Sequence, residues 1–229
     1  MQSAPGNSIW VVIAAYNEAR VIAAVIGDLL RAGYRVAVVD DGSSDATARV
    51  AAQAGAAVVK HPINLGQGAG LQTGIEFALL EGADIIVTFD GDGQHRASDV
   101  PGLVDALQAQ RVDFVLGSRF LGASVNQPLS RRLMLKAATW FTRVTTGLSV
   151  TDTHNGLRAM TRRGASRIRL RQNRMAHASE ILHQIAESGL KYVEAPVTIE
   201  YSAYSLSKGQ TLGDSLMILT DLFARRLQR

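Results

Sequence analysis

Short apolar runs alternate along this chain with longer stretches whose apolar residues recur at helical spacing. Residues 9–14 read as a buried strand that feeds a loop at Tyr16, Asn17 and Glu18. Val21, Ile22, Val25, Ile26, Leu29 and Leu30 then mark one helical face, which Gly33 ends. Strands follow at 36–39 and 56–59. The helix between them runs to about Gln53 and opens at Ser43, Ser44 and Asp45, whose oxygens suit the free amides of a first turn. A glycine-rich turn over 64–70 starts a helix through Leu80, and a fourth strand over 85–89 delivers Asp90. A helix over 98–109 leads to a fifth strand at 114–116, which ends in Gly117, Ser118 and Arg119.

Beyond that point the pattern predicts a basic helix over 128–147, a polar loop over 152–158 and a helix over 176–188. The strand over 192–199 contains Pro196, which lacks an N–H for a central ladder and so marks an edge. A last helix over 211–226 carries Leu212, Leu216, Leu219, Phe223 and Leu227 on one stripe.

Strands separated by helices of this length imply right-handed crossovers, a mainly parallel sheet flanked by helices, and thus an α/β fold. Ligands of such sheets sit beyond the carboxyl ends of the strands. Here polar motifs follow strand after strand, so they gather at one edge. The glycine-rich turn is neither the dinucleotide fingerprint nor the Walker pattern.

Composition narrows the picture further. With 229 residues and 47% apolar content the chain suits one large domain. It has no cysteine, which excludes disulfides, thiolate metal sites and a cysteine nucleophile. No run reaches the roughly 18 to 20 apolar residues that span a bilayer. The amino end lacks a basic region followed by an apolar core, so a cytoplasmic location is expected. Net charge is +4, and arginines concentrate between Arg131 and Arg174, a bias that suits phosphates. Few aromatics interleave with them and no reading motif is present, so nucleic acid is not an expected partner.

The stretch from Val87 to His95 carries the most chemistry. Its strand delivers Asp90 and Asp92, and side chains two apart on a strand face the same way, so both can converge on one hard divalent cation. A metal held there could hold a diphosphate.

Seven motifs resemble the inverting family 2 glycosyltransferases of the GT-A fold, in particular the dolichyl- and polyprenyl-phosphate sugar synthase branch. They are Ala15-Tyr16-Asn17-Glu18, Val39 to Asp45, Asn64 to Gly68, Asp90-Gly91-Asp92-Gly93-Gln94-His95, Gly117-Ser118-Arg119, Asp152 to Arg158, and Glu194-Ala195-Pro196-Val197. The resemblance implies a Rossmann-like GT-A sheet, with 1–119 as the nucleotide-sugar half, 120–200 as the acceptor half, and 201–229 as a mobile segment and amphipathic helix. It implies a UDP- or GDP-sugar donor, contacted by Ala14, Tyr16, Glu18, Asp40, Asp41, Gln67, Asp90 and Asp92. Ala14 stands where the family usually has Pro, and Gln67 where Lys is common. Mg²⁺ or Mn²⁺ would sit on Asp90 and Asp92 with Gln94.

Arg119 and one of Arg131 or Arg132 resemble the residues that receive an acceptor phosphate, for which a forked guanidinium is suited. Asp152 takes the place of the carboxylate near the acceptor. It is the candidate base for a hydroxyl acceptor, whereas a phosphate acceptor needs none. A lone His154 reads as a packing residue rather than a metal ligand. The acceptor implied is a polyprenyl phosphate or membrane-associated glycan, with the enzyme peripheral on the inner face of the plasma membrane. The last helix would lie on an anionic membrane, meet a small membrane-protein partner, or pack in a homodimer.

Two other functions fit parts of the sequence. Sugar nucleotidyltransferases share the sheet and paired carboxylates, but begin with a glycine-rich basic loop where this chain has Ala15-Tyr16-Asn17-Glu18. A non-catalytic homologue that binds a membrane partner would have no need of intact acidic motifs.

Overall fold

A computed structural model describes residues 8–172, 176–202 and 204. The strands are β1 (Ile9–Ala15), β2 (Arg35–Asp40), β3 (Ala57–Lys60), β4 (Ile85–Asp90), β5 (Phe114–Val125), β6 (Arg158–Thr161) and β7 (Tyr192–Glu200). The helices are α1 (Ile22–Arg31), α2 (Thr47–Gln53), α3 (Gln67–Leu80), α4 (Val100–Ala109), α5 (Leu129–Thr146), α6 (Arg162–Ala165) and α7 (Ala176–Ser188). They build one sheet in the order β3-β2-β1-β4-β6-β5-β7.

Alternation along β1 sends Val11, Ile13 and Ala15 to one face, where they meet Ile22, Ile26 and Leu29 of α1 and Leu103 of α4. Trp10 and Val12 go to the other face, against Leu71 and Ile75 of α3 and Ile181 and Leu182 of α7. Both faces of the sheet are therefore covered, which is why its central strands read as continuous apolar runs.

The pairs β1–β2, β1–β4, β2–β3 and β5–β7 are parallel. β6 runs antiparallel to both β4 and β5 and lies between them. This strand was not expected: Arg-Ala-Met-Thr is too short to show a period and opens on a charge. Its reversal brings the start of β6, with the loop before it, to the same edge as the ends of β4 and β5. β5 also continues well past the expected 114–116, across an irregularity between Ser118 and Ala123. That extension exposes Leu121 and Val125, so pairing with β7 rather than a buried stripe defines it. β7 closes one edge of the sheet, as Pro196 suggested.

The N-cap position of α2 is Ala46, and Asp45 just before it accepts from the Thr47 amide on Oδ1 at 2.9 Å, so one of the three expected polar residues serves the first turn. The predicted helix over 211–226 lies outside the described residues. No helix among the described residues is long and apolar enough to cross a membrane.

Candidate active site

The ends of β1, β2, β4 and β5 and the start of β6 surround a cavity of about 580 Å³. Of the expected site residues, Ala14, Tyr16, Glu18, Asp41, Gln67, Asp90, Asp92, Gln94, Arg119 and Arg131 line it. Asp40 and Asp152 do not.

Asn17 organises the loop after β1. It adopts a positive φ of 56°, and its Oδ1 accepts from the Ser44 amide at 2.9 Å while its own amide donates to Ser43 Oγ at 2.9 Å. The Glu18 amide donates to Thr47 Oγ1 at 2.8 Å. Ser43 to Thr47 thus tie the loop after β1 to the loop after β2, and Glu18 is presented with its Oε2 accepting from Tyr204 Oη at 2.8 Å. Asp41 clamps the glycine-rich turn: its Oδ1 lies 2.7 Å from His61 Nδ1 and accepts from the Leu65 amide, and its Oδ2 accepts from the Gly66 amide at 2.7 Å. Gly66 has φ 96° and ψ 158°, a conformation open essentially to glycine alone. The first turn of α3 opens there onto the cavity. Asp40 is buried below this loop, 2% exposed.

β4 ends at Asp90, so the Gly91 turn rather than the strand pleat brings Asp92 beside it. The two carboxylates are unequal. Asp90 is held on both oxygens, from Gln67 Nε2 at 3.1 Å and by His95 Nε2 at 2.8 Å. Burial opposes its charge, but His95, Arg158 and His177 outweigh that and hold its pKa below the ordinary value. Asp92 accepts from the Gln94 amide at 3.0 Å. Burial, then the neighbouring Asp90 charge, push its pKa up to about 6. Glycine is required at 156, where a Cβ would stand 2.2 Å from the Asp90 oxygens.

Among the described residues no group of three or more His, Cys, Asp or Glu could hold a metal. The pair nevertheless fits a cation of the Mg²⁺ type, which takes one or two carboxylates and completes its shell with phosphate and water oxygens.

Asp152, the expected candidate base, lies beneath the cavity beside Arg119. Its side chain is 0% exposed, and its Oδ2 accepts from Arg119 Nε at 2.6 Å and from the Arg119 amide at 3.1 Å, while Oδ1 accepts from the His154 amide. Buried and engaged on both oxygens, this carboxylate is placed to hold Arg119. The remaining nitrogens of that guanidinium donate to Tyr201 Oη at 2.6 Å and the His154 carbonyl at 2.5 Å. Burial works against the Arg119 charge, yet Asp152 and Tyr201 prevail and raise its pKa. Arg131 reaches the cavity from α5 with its guanidinium 5.1 Å from the centre of the Tyr201 ring.

Four titratable residues that line the cavity were not among the expected site residues. His95 and His177 stand near Asp90. His154, expected to be mere packing, also lines the cavity, and burial pushes its pKa down to about 4, so it is a neutral imidazole. Arg158 is 3% exposed, its Nη1 has no partner among the described residues, and burial lowers its pKa against the charges of Asp90 and Asp152. A charge opening a strand between apolar neighbours was the one available signal for it.

The "Glycosyl transferase family 2" sequence profile matches residues 10–169. An uncharacterized protein of Methanocaldococcus jannaschii is 35% identical over 96% of this chain and 93% of its own. The UDP-N-acetylglucosamine–dolichyl-phosphate N-acetylglucosaminyltransferase of Methanococcus voltae is 30% identical over 96% of this chain and 94% of its own. Among solved structures, Mycobacterium tuberculosis glucosyl-3-phosphoglycerate synthase in complex with Mg²⁺ and UDP superposes with a TM-score of 0.74 over 96% of this chain and 79% of that one. At 21% identity this likeness establishes the GT-A type of sheet.

Proposed function

The chain belongs to glycosyl transferase family 2 and is a glycosyltransferase with polyprenyl-phosphate sugar transferases among its relatives; we propose that it is an inverting enzyme moving a sugar from a UDP- or GDP-sugar to a polyprenyl phosphate. The observation that carries this reading is the charge gathered in one cavity: Asp90 and Asp92 line it together with Arg119, Arg131 and Arg158. Such a cavity suits a cation-bridged diphosphate beside an anionic acceptor. The locked Asp152 supports the phosphate acceptor over a hydroxyl, because a phosphate oxygen is already a nucleophile and needs no base.

In this reading 1–119 binds the donor and 120–200 the acceptor. Glu18 and Tyr16 face the nucleoside, and Gln67 and His95 orient Asp90. Mg²⁺ or Mn²⁺ on Asp92 and Asp90, with Gln94 nearby, supplies charge stabilisation for the departing nucleoside diphosphate. Arg119 and Arg131 hold the acceptor phosphate so that one of its oxygens attacks the anomeric carbon opposite the leaving group. The bond from that carbon to the nucleoside diphosphate breaks as the new one forms, inverting the centre. Asp152 fixes Arg119, and His154, neutral near pH 7, lends no charge to the acceptor wall.

A thermal-shift screen of UDP- and GDP-sugars with and without Mn²⁺ tests donor binding, since a ligand of the folded state raises its melting temperature. The expected results are a metal-dependent shift and formation of a glycosyl phosphoprenol from one of those donors. Pyrophosphate release from a nucleoside triphosphate and a sugar phosphate would instead show a nucleotidyltransferase.

A further inference from the structure

The outer face of α5 presents Leu129, Leu133, Trp140 and Val144 at 71%, 61%, 68% and 58% exposure. At 100° per residue these four fall on one stripe, about 22 Å long at the helical rise. The helix turns Leu135, Thr139 and Thr142 inward instead. Arg132, Lys136 and Arg143, all exposed, border the stripe along one side. An exposed apolar stripe with a basic margin is the pattern of a helix lying in a membrane interface, and tryptophan suits that depth. The same margin on a second copy would face like charge, whereas it complements anionic head groups.

We infer that this face of α5 seats the enzyme on an anionic lipid bilayer, a proposal that deepens the lipid-phosphate reading and rests on it. Arg131 issues from the inward side of the same helix into the cavity. The bilayer surface and the acceptor wall are therefore about one helix thickness apart, roughly 10 Å. A phosphate at the head-group level can reach Arg131 and Arg119 while its prenyl chain stays in lipid.

The full chain has two tryptophans, and Trp10 is buried at 6% exposure, so a change in emission reports Trp140. Vesicles of phosphatidylglycerol and phosphatidylethanolamine, free of prenyl phosphate and donor, are expected to sediment the protein, shift its emission to the blue and, with brominated acyl chains, quench it. Phosphatidylcholine vesicles should bind at least about tenfold more weakly. The double variant Leu133→Gln/Val144→Gln should bind phosphatidylglycerol vesicles at least about tenfold more weakly, with unchanged circular dichroism and an unchanged Mn²⁺-dependent nucleotide-sugar shift.

Equal binding by the variant, or binding that leaves Trp140 emission unmoved, would place membrane attachment elsewhere and overturn the inference. So would blue emission before any lipid is added, which means that another part of the chain or a second copy covers the stripe. Failure of the wild-type protein to bind the anionic vesicles, with its nucleotide-sugar shift intact, would sink only the α5 inference. Intact vesicle binding without any nucleotide-sugar shift would sink the transferase reading instead.

Discussion

Asp152→Asn separates a positioning carboxylate from a catalytic base. In the wild-type protein the Asp152 and Arg119 side chains are 0% and 5% exposed, and the guanidinium Nε lies 2.6 Å from Oδ2. Asparagine keeps the shape and can still accept one hydrogen bond, but it leaves the Arg119 charge to Tyr201 Oη and the His154 carbonyl. Removing one partner of a buried pair costs about 3–5 kcal/mol, because the other stays desolvated and unpaired. For a domain of this size each kcal/mol moves Tm by about 2–4 °C, so the variant should melt roughly 6–20 °C lower.

Differential scanning calorimetry and steady-state transfer assays, run together over pH, decide the matter. Positioning predicts the lower Tm, a raised KM for the phosphate acceptor and a pH profile of unchanged shape. Arg119→Met/Asp152→Asn should melt higher than the two single losses added together, since neither charge is then left unpaired. A Tm within about 1 °C of wild type together with a collapse of kcat would refute this reasoning and restore Asp152 as a base.

Three further outcomes follow from the donor side. Asp92→Asn should retain the fold and lower transfer by at least about 100-fold, as loss of an electrostatic stabiliser of the leaving group does, with the Mn²⁺-dependent nucleotide-sugar shift abolished; full activity with a verified donor would dismiss the metal assignment. Without metal, Asp92 binds its proton more tightly folded than unfolded, since its pKa rises from 3.8 to about 6. Its contribution to stability is present below pH 3.8 and lost as pH rises through about 6, so a Tm-versus-pH scan of wild type minus Asp92→Asn should fall across that window and flatten when saturating Mn²⁺ is added. Gly156→Ala places a methyl 2.2 Å from the Asp90 oxygens; it should destabilise by about 1–3 kcal/mol and weaken donor binding, and an unchanged calorimetric Tm would contradict the packing described for that turn.

What the sequence made legible depends on the range of the interactions involved. β1, β2 and β4 are buried on both faces, so each announces itself as an apolar run, and the loop that follows each is the edge motif by construction. That part of the cavity is therefore readable: Tyr16, Glu18, Asp41, Gln67, Asp90 and Asp92 each sit within a few residues of a strand end or helix start. The surroundings of Arg119 are not built that way. Arg119 and Asp152 are 33 residues apart and meet only because β6 reverses between β4 and β5. β6 itself is four residues long and starts on a charged side chain. No local period encodes that reversal, and without it Asp152 looks like a carboxylate free to act as a base. The same reversal buries Arg158 beside Asp90, where its charge helps keep Asp90 ionised, while burial and the Asp90 charge push the Asp92 pKa up. The antiparallel insertion thus does more than fill a gap in the sheet. It brings buried arginines to the same cavity as the paired carboxylates, the mixture of charge on which the proposed pairing of a metal-bound diphosphate with a second anion rests.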